Sequence, residues 1–141
     1  PGAMRVEVRE RRPAALWSLK GRNYLIDGTG RVLGAAGSDG WRLPRIAGEG
    51  ANLDAALLFT ALNRHPEIAA QVARAERISG RRWSLVLNNG TRLELGADRE
   101  VESLDQIARN TDLRRALSGP PMIADVRTTG RLTIRQAALS G

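Results

Sequence analysis

The chain has no cysteine, one histidine, and aromatic residues at only 4% of its 141 positions. Each shortage closes a route. Without cysteine there are neither disulfides nor thiolate metal sites, though the redox compartment stays open. The one histidine, His65, precedes Pro66 at a predicted helix end, with no carboxylates at metal-ligand spacing. A general base needs a nucleophile or an orienting acid, and the sequence offers His65 none; it reads as a surface residue. No GxGxxG, Walker loop, HExxH or GxSxG occurs. The expectation is a non-enzyme with no catalytic residue, no cofactor and no metal. No apolar run reaches the roughly 18 residues of a membrane span, and no signal peptide is visible. Pro1-Gly2-Ala3-Met4 has the form of a cloning remnant, which leaves room for a native targeting segment to have been cut away.

Positive charge is not scarce. Lys and Arg number 22 against 15 Asp and Glu, a net charge of +7 dominated by arginine. Such a balance suits nucleic acid, an anionic surface or an acidic partner. The basic residues are spread along the chain, which is the pattern of a solvated surface. An oligonucleotide platform stacks bases on aromatics exposed on a basic sheet face. The tryptophans here occupy apolar-face positions instead, so no nucleic acid is expected. A basic binding module for nucleic acid or an anionic surface remains the alternative function.

The clearest structural signal is Arg81 to Gly96. Trp83, Leu85 and Leu87 alternate with smaller or polar neighbours, and Leu93 and Leu95 do so after the turn, the period of half-buried strands. Parity fixes the loop. A two-residue loop would set Leu87 across from Arg92; a three-residue loop, Asn88 to Gly90, sets Leu85 across from Leu93 and Trp83 across from Leu95. The same argument predicts Gly28-Thr29-Gly30, with Ile26 across from Val32 and Leu25 across from Leu33. It also predicts Thr128-Thr129-Gly130, with Val126 across from Leu132 and Ala124 across from Ile134. Asp27-Gly28-Thr29-Gly30 lacks the order and the second copy that a phosphate loop or an aspartic-protease site needs, and reads as a turn.

Arg5 to Arg9 alternates like a strand broken by Pro13, and Ala14 to Leu19 resumes one. Helices are predicted at 52–64, 66–71 and 98–109, with a further turn at 112–117. Asn52 is the expected cap of the first, whose apolar set is Ala55, Leu57, Leu58, Ala61 and Leu62. Asp98 is the expected cap of the third, with Glu100 and Glu102 at the positive end of its dipole. Val72 to Ile78 is expected to be a strand. The fold class is therefore α+β, a mainly antiparallel sheet of consecutive hairpins with helices packed on it. In the last hairpin Met122, Ala124, Val126, Leu132 and Ile134 are expected inward, and Asp125, Arg127, Arg131, Thr133 and Arg135 outward. As the end of the chain, this hairpin is a candidate sheet edge, where another protein can add a strand; the flanking arginines favour an acidic partner.

Five motifs then line up in order. Val6-Glu7-Val8 with Glu10 to Trp17 resembles a V-x-V-x-E-R-x-P-x-A-x-W passage of the bacterial cell-division proteins FtsQ and DivIB. Tyr24-Leu25-Ile26-Asp27 with Gly30-Arg31-Val32, Leu43 to Gly48, Arg81 to Leu85 with Asn89-Gly90 and Leu93 to Gly96, and Asp125-Val126-Arg127 resemble the motifs that follow in that family. The resemblance runs from Val6 to about Gln136. It implies a longer protein with a short cytoplasmic tail, one membrane helix, a POTRA domain and a β domain. Residues 1–4 would be the remnant, 5–12 the last POTRA strand, 13–136 the β domain and 137–141 a C-terminal tail. It implies a non-enzymatic divisome scaffold of the inner membrane, single-pass, with this domain in the periplasm. It further implies recruitment of FtsB and FtsL at the septum by strand addition. Carried over by position, the partner-binding residues are Asp125, Arg127, Thr128, Gly130, Arg131, Leu132, Thr133, Ile134 and Arg135. One departure stands out: the family often carries aromatics around this hairpin, and here none follows Trp83.

Overall fold

Alternating strands joined by short glycine loops build most of the sheet. The computed structural model describes residues 12–37 and 43–137. Its strands are β1 (Ala15–Leu19), β2 (Arg22–Ile26), β3 (Val32–Ala35), β4 (Arg45–Ala47), β5 (Val72–Ile78), β6 (Arg82–Leu87), β7 (Arg92–Glu94), β8 (Met122–Asp125) and β9 (Thr133–Gln136). The helices are α1 (Ala51–Asn63), α2 (Pro66–Ala69), α3 (Glu100–Arg109) and α4 (Thr111–Ala116). All nine strands form one sheet in the order β3-β2-β1-β4-β5-β6-β7-β8-β9. The α+β class holds, but the sheet is mixed: β1–β4, β4–β5 and β7–β8 are parallel. The cause is visible for two of these. α1 and α2 carry the chain from β4 to β5, and α3 and α4 carry it from β7 to β8. Such crossovers return the chain to the same end of the sheet, so the new strand runs parallel. The predicted strand at Arg5 to Arg9 lies outside the described residues.

The three loops follow parity to different degrees. In β6–β7, Leu85 pairs with Leu93, and Leu95 N donates to Trp83 O. Leu87 N donates to Thr91 O, which closes a loop of Asn88 to Gly90 with Gly90 at φ 88°. In β2–β3, Ile26 pairs with Val32 as expected, but a bulge sets Leu25 against Gly34 rather than Leu33. The Asp27 carboxylate accepts from Thr29 N, Thr29 Oγ1 and Arg31 N, so it organises the turn. In β8–β9, Ala124 pairs with Ile134 as expected. Its loop is looser: the ladder ends at Asp125 and Thr133, short of the expected Val126–Leu132 pair, and Arg131 N donates to Thr128 O, a turn shifted by one residue.

The helices pack on one face. Trp83, Leu85, Leu93, Leu95, Ile46 and Ile26 from the sheet share a buried core with Leu58, Ile68, Leu104, Ile107 and Leu113. Two expected helix starts are corrected. Gly50, not Asn52, precedes α1; Asn52 is buried in the first turn and donates through Nδ2 to Gly30 O at 3.1 Å. A long-range bond to a loop has displaced the local cap. Arg99 precedes α3, and Asp98 sits at φ 57° in the turn before it. Leu57 is 63% exposed rather than inward, and Leu53 is 77% exposed one turn earlier. α4 starts one residue earlier than expected because Asn110 caps it, its Oδ1 accepting from Asp112 N and Leu113 N.

A candidate interaction edge at the last hairpin

The edge follows from backbone parity. β9 is terminal in the sheet and pairs only with β8 among the described residues. Val126 N donates to Glu94 O, so the even-numbered residues of β8 turn their N–H groups toward β7. Ile123 and Asp125 therefore face β9, opposite Arg135 and Thr133. Ala137 N donates to Pro121 O, which continues the same set of bonded pairs. Bonded and non-bonded pairs alternate in an antiparallel ladder. Hence Thr133 and Arg135 spend their backbone groups on β8, while Ile134 and Gln136 turn theirs outward.

The side chains divide differently. Ala124 and Val126 are fully buried, and Met122, Leu132 and Ile134 are half-buried against the core. Leu132 and Ile134 thus anchor the hairpin to its own domain, and Ile134 still leaves its backbone to the edge. Thr133, Arg135 and Gln136 are exposed. The Asp125 carboxylate accepts from Arg127 Nε at 3.0 Å and Nη2 at 2.6 Å, and from Arg127 N at 3.0 Å. These bonds hold the Asp125 carboxyl below its ordinary range, and the charge of Arg135 adds to the effect. Asp125, Arg127, Thr128, Arg131 and Thr133 line one polar hollow beside the strand. Gly130, at φ 74°, turns the chain. Five of the residues carried over by resemblance therefore surround one hollow, and Gln136, just beyond that set, shares the outward backbone. The parity that placed Ile134 opposite Ala124 was the signal for it.

His65 is not the lone surface residue expected. Its Nε2 lies 2.6 Å from Asp105 Oδ1, and Arg64 forks onto the same carboxylate through Nε and Nη2. The His65 side chain is 16% exposed. Arg64, then His65, hold Asp105 below the ordinary carboxylate range. The cluster pins the α1–α2 junction to α3, a structural role. Among the described residues no group of three or more His, Asp or Glu is placed to hold a metal ion. No helix there is long and apolar enough to cross a membrane.

Comparison with known proteins agrees with this architecture. Residues 15–127 match the family described as "Cell division protein FtsQ/DivIB, C-terminal". The chain is similar to the cell division protein FtsQ of Jannaschia sp. (strain CCS1), 32% identical over 95% of this chain and 44% of that protein. It is also similar to FtsQ of Caulobacter vibrioides, 32% identical over all of this chain and 50% of that protein. The chain thus spans about half the length of these relatives. Among solved structures, the major extracytoplasmic domain of the cell division protein DivIB from Geobacillus stearothermophilus shares the fold. The TM-score is 0.51 at 17% identity, covering 77% of this chain and 94% of that one. The family match ends at Arg127, inside the last hairpin and before β9. With 113 residues matched in one run and a common fold behind them, the chain belongs to the FtsQ/DivIB family of cell division proteins.

Proposed function

We propose that this domain is a non-enzymatic scaffold of the division machinery that recruits FtsB- and FtsL-type partners by accepting a strand along β9. The observation that supports this reading is the position of β9 at the end of the sheet, with the backbone groups of Ile134 and Gln136 turned away from β8. Strand addition supplies affinity through main-chain bonds and takes specificity from flanking side chains. Arg127, Arg131 and Arg135 flank the edge and suit a segment bearing carboxylates. In the longer protein, a membrane helix preceding this domain would hold it in the periplasm beside its partners.

The test uses proline at positions of known parity. Gln136→Pro and Ile134→Pro each remove an outward N–H, and Gln136 is exposed, so its replacement leaves packing intact. Calorimetric titration with the extracytoplasmic segment of an FtsB-type partner is expected to show about tenfold weaker binding or worse for each variant. Gln136→Pro should keep the parent melting temperature. Unchanged affinity in both variants would refute strand addition at β9.

A further inference from the structure

The arginines that look scattered in the sequence are collected by the strand register. Arg45 pairs with Arg74, Arg74 with Val86, Val86 with Arg92, Arg92 with Ile123, and Ile123 with Arg135. This is one unbroken row across β4 to β9, on the face opposite the helices. The adjacent row on the same face carries Glu76, Ser84, Glu94 and Asp125. The two rows are cross-linked. Glu76 accepts from Arg74 and Arg92, and Glu94 accepts from Arg82, Arg92 and Ser84. Arg45, at the start of the row, is exposed, and its side chain has no hydrogen bond or ion pair among the described residues. The Arg74 side chain is half exposed despite its bond to Glu76.

We infer that this open face is a second docking surface, distinct from the β9 edge, and that it takes an acidic peptide segment running across the strands over Arg45, Arg74 and Arg92. Charge complementarity and its spacing carry the argument. Neighbouring strands lie about 4.8 Å apart, so Arg45, Arg74 and Arg92 span roughly 14 Å, with gaps of about 5 and 10 Å. Three same-face side chains of an extended peptide, about 7 Å apart, cover the same roughly 14 Å, and long guanidinium stems reach across the difference in step. In the same row half-buried Val86 gives apolar contact between Arg74 and Arg92, and half-buried Ile123 extends it beyond Arg92. A bilayer fits less well, because the sheet turns by roughly 20–25° at each strand and presents a twisted row rather than a plane. The row of carboxylates alongside would also repel a continuous anionic surface or a nucleic-acid backbone. Discrete peptide carboxylates avoid it. This surface does not depend on strand addition, since Arg74 lies four strands from β9.

The experiment is fluorescence anisotropy with a labelled peptide of alternating glutamate and valine. Arg45→Gln with Arg74→Gln is compared with Arg31→Gln and Arg109→Gln, which remove the same charge from exposed positions off this face. The face pair is expected to weaken binding by roughly tenfold, the control pair hardly at all, and Gln136→Pro to bind like the parent. Three results would overturn the proposal: equal weakening by both pairs, loss of peptide binding in Gln136→Pro, or binding to phosphatidylglycerol vesicles or single-stranded DNA in preference to the peptide. Circular dichroism melting of both pairs confirms that the variants compared are folded.

Discussion

The hairpins β6–β7 and β8–β9 follow one plan in two surroundings. Each sets apolar residues opposite one another, Leu85 to Leu93 in one and Ala124 to Ile134 in the other. Each turns on a glycine of positive φ, Gly90 or Gly130. In the first, strands lie on both sides and helices cover one face, so Trp83, Leu85, Leu93 and Leu95 are wholly buried. In the second, one side has no neighbouring strand among the described residues, and Leu132 and Ile134 are only half-buried. Position in the sheet, not hairpin design, decides which ribbon is scaffold and which has backbone to offer. The largest effects of mutation should therefore separate the two. Leu93→Ala removes a fully buried side chain and is expected to cost about 2–5 kcal/mol, while Ile134→Ala should cost about 1 kcal/mol, part of its area being already wet. Chemical denaturation of both variants checks this. Equal costs would mean that β9 is packed as deeply as β7 and that the distinction is wrong.

The loops sharpen the same contrast at the next level of effect. Gly30 and Gly130 both have positive φ, at 90° and 74°. A Cβ on Gly30 would fall 1.8 Å from Asn52 O, a backbone atom of the first turn of α1. A Cβ on Gly130 would meet nothing within 4 Å. Gly30→Ala combines left-handed strain with a clash against backbone, so it should cost roughly 3 kcal/mol, and Gly130→Ala only about 1 kcal/mol from strain. Melting curves would settle the ranking. If the two substitutions were equally mild, the loop at Gly30 would not be seated on α1 as described.

Legibility in the sequence divides along a physical line. Features set by neighbours in the chain could be read. Parity gave the Leu85–Leu93, Ile26–Val32 and Ala124–Ile134 pairs, because a slip of one residue would turn every apolar side chain to solvent. Features set by distant partners could not. Asn52 was a sound cap by its neighbours, yet its amide is taken by Gly30 O, 22 residues away. Leu57 fits an apolar helical set but points to solvent, because the core beneath α1 is filled by Ala55, Leu58, Ala61 and Leu62. His65 looked alone because Asp105 is 40 residues off. The parallel pairings and the arginine row have no local signature at all, since strand order is decided by where crossovers return the chain. For the candidate site, the pairing of Ala124 with Ile134 and the division of inward and outward side chains were readable, while the shifted turn that ends the ladder before Val126 and Leu132 was not. That β9 ends the sheet was not, because it depends on which strands lie next to which.

The smallest expected effect concerns acid, and it compares a carboxylate from each hairpin. Burial pushes Glu94 up, but bonds from Ser84, Arg82 and Arg92 outweigh it and leave the carboxyl below its usual range. Asp125 is lowered chiefly by Arg127, whose side chain is about half exposed. In both cases the folded state holds its proton less tightly than the unfolded chain does. The stabilisation is complete above the ordinary carboxylate range. It is lost as pH falls below about 4, where the unfolded chain takes up protons first. Glu94→Gln and Asp125→Asn should each lower the melting temperature at neutral pH and flatten its decline in acid. The change should be larger for Glu94, because its three donors sit on a partly buried face. For Asp125 it should stay within about 1 kcal/mol, since solvent screens an exposed guanidinium. Added salt should therefore erase the Asp125 effect before that of Glu94, and a melting series in pH and salt reads both. If Asp125 proved the more acid-sensitive and the less salt-sensitive of the two, the edge hairpin would be the more enclosed one, and the comparison between the two ribbons would be reversed.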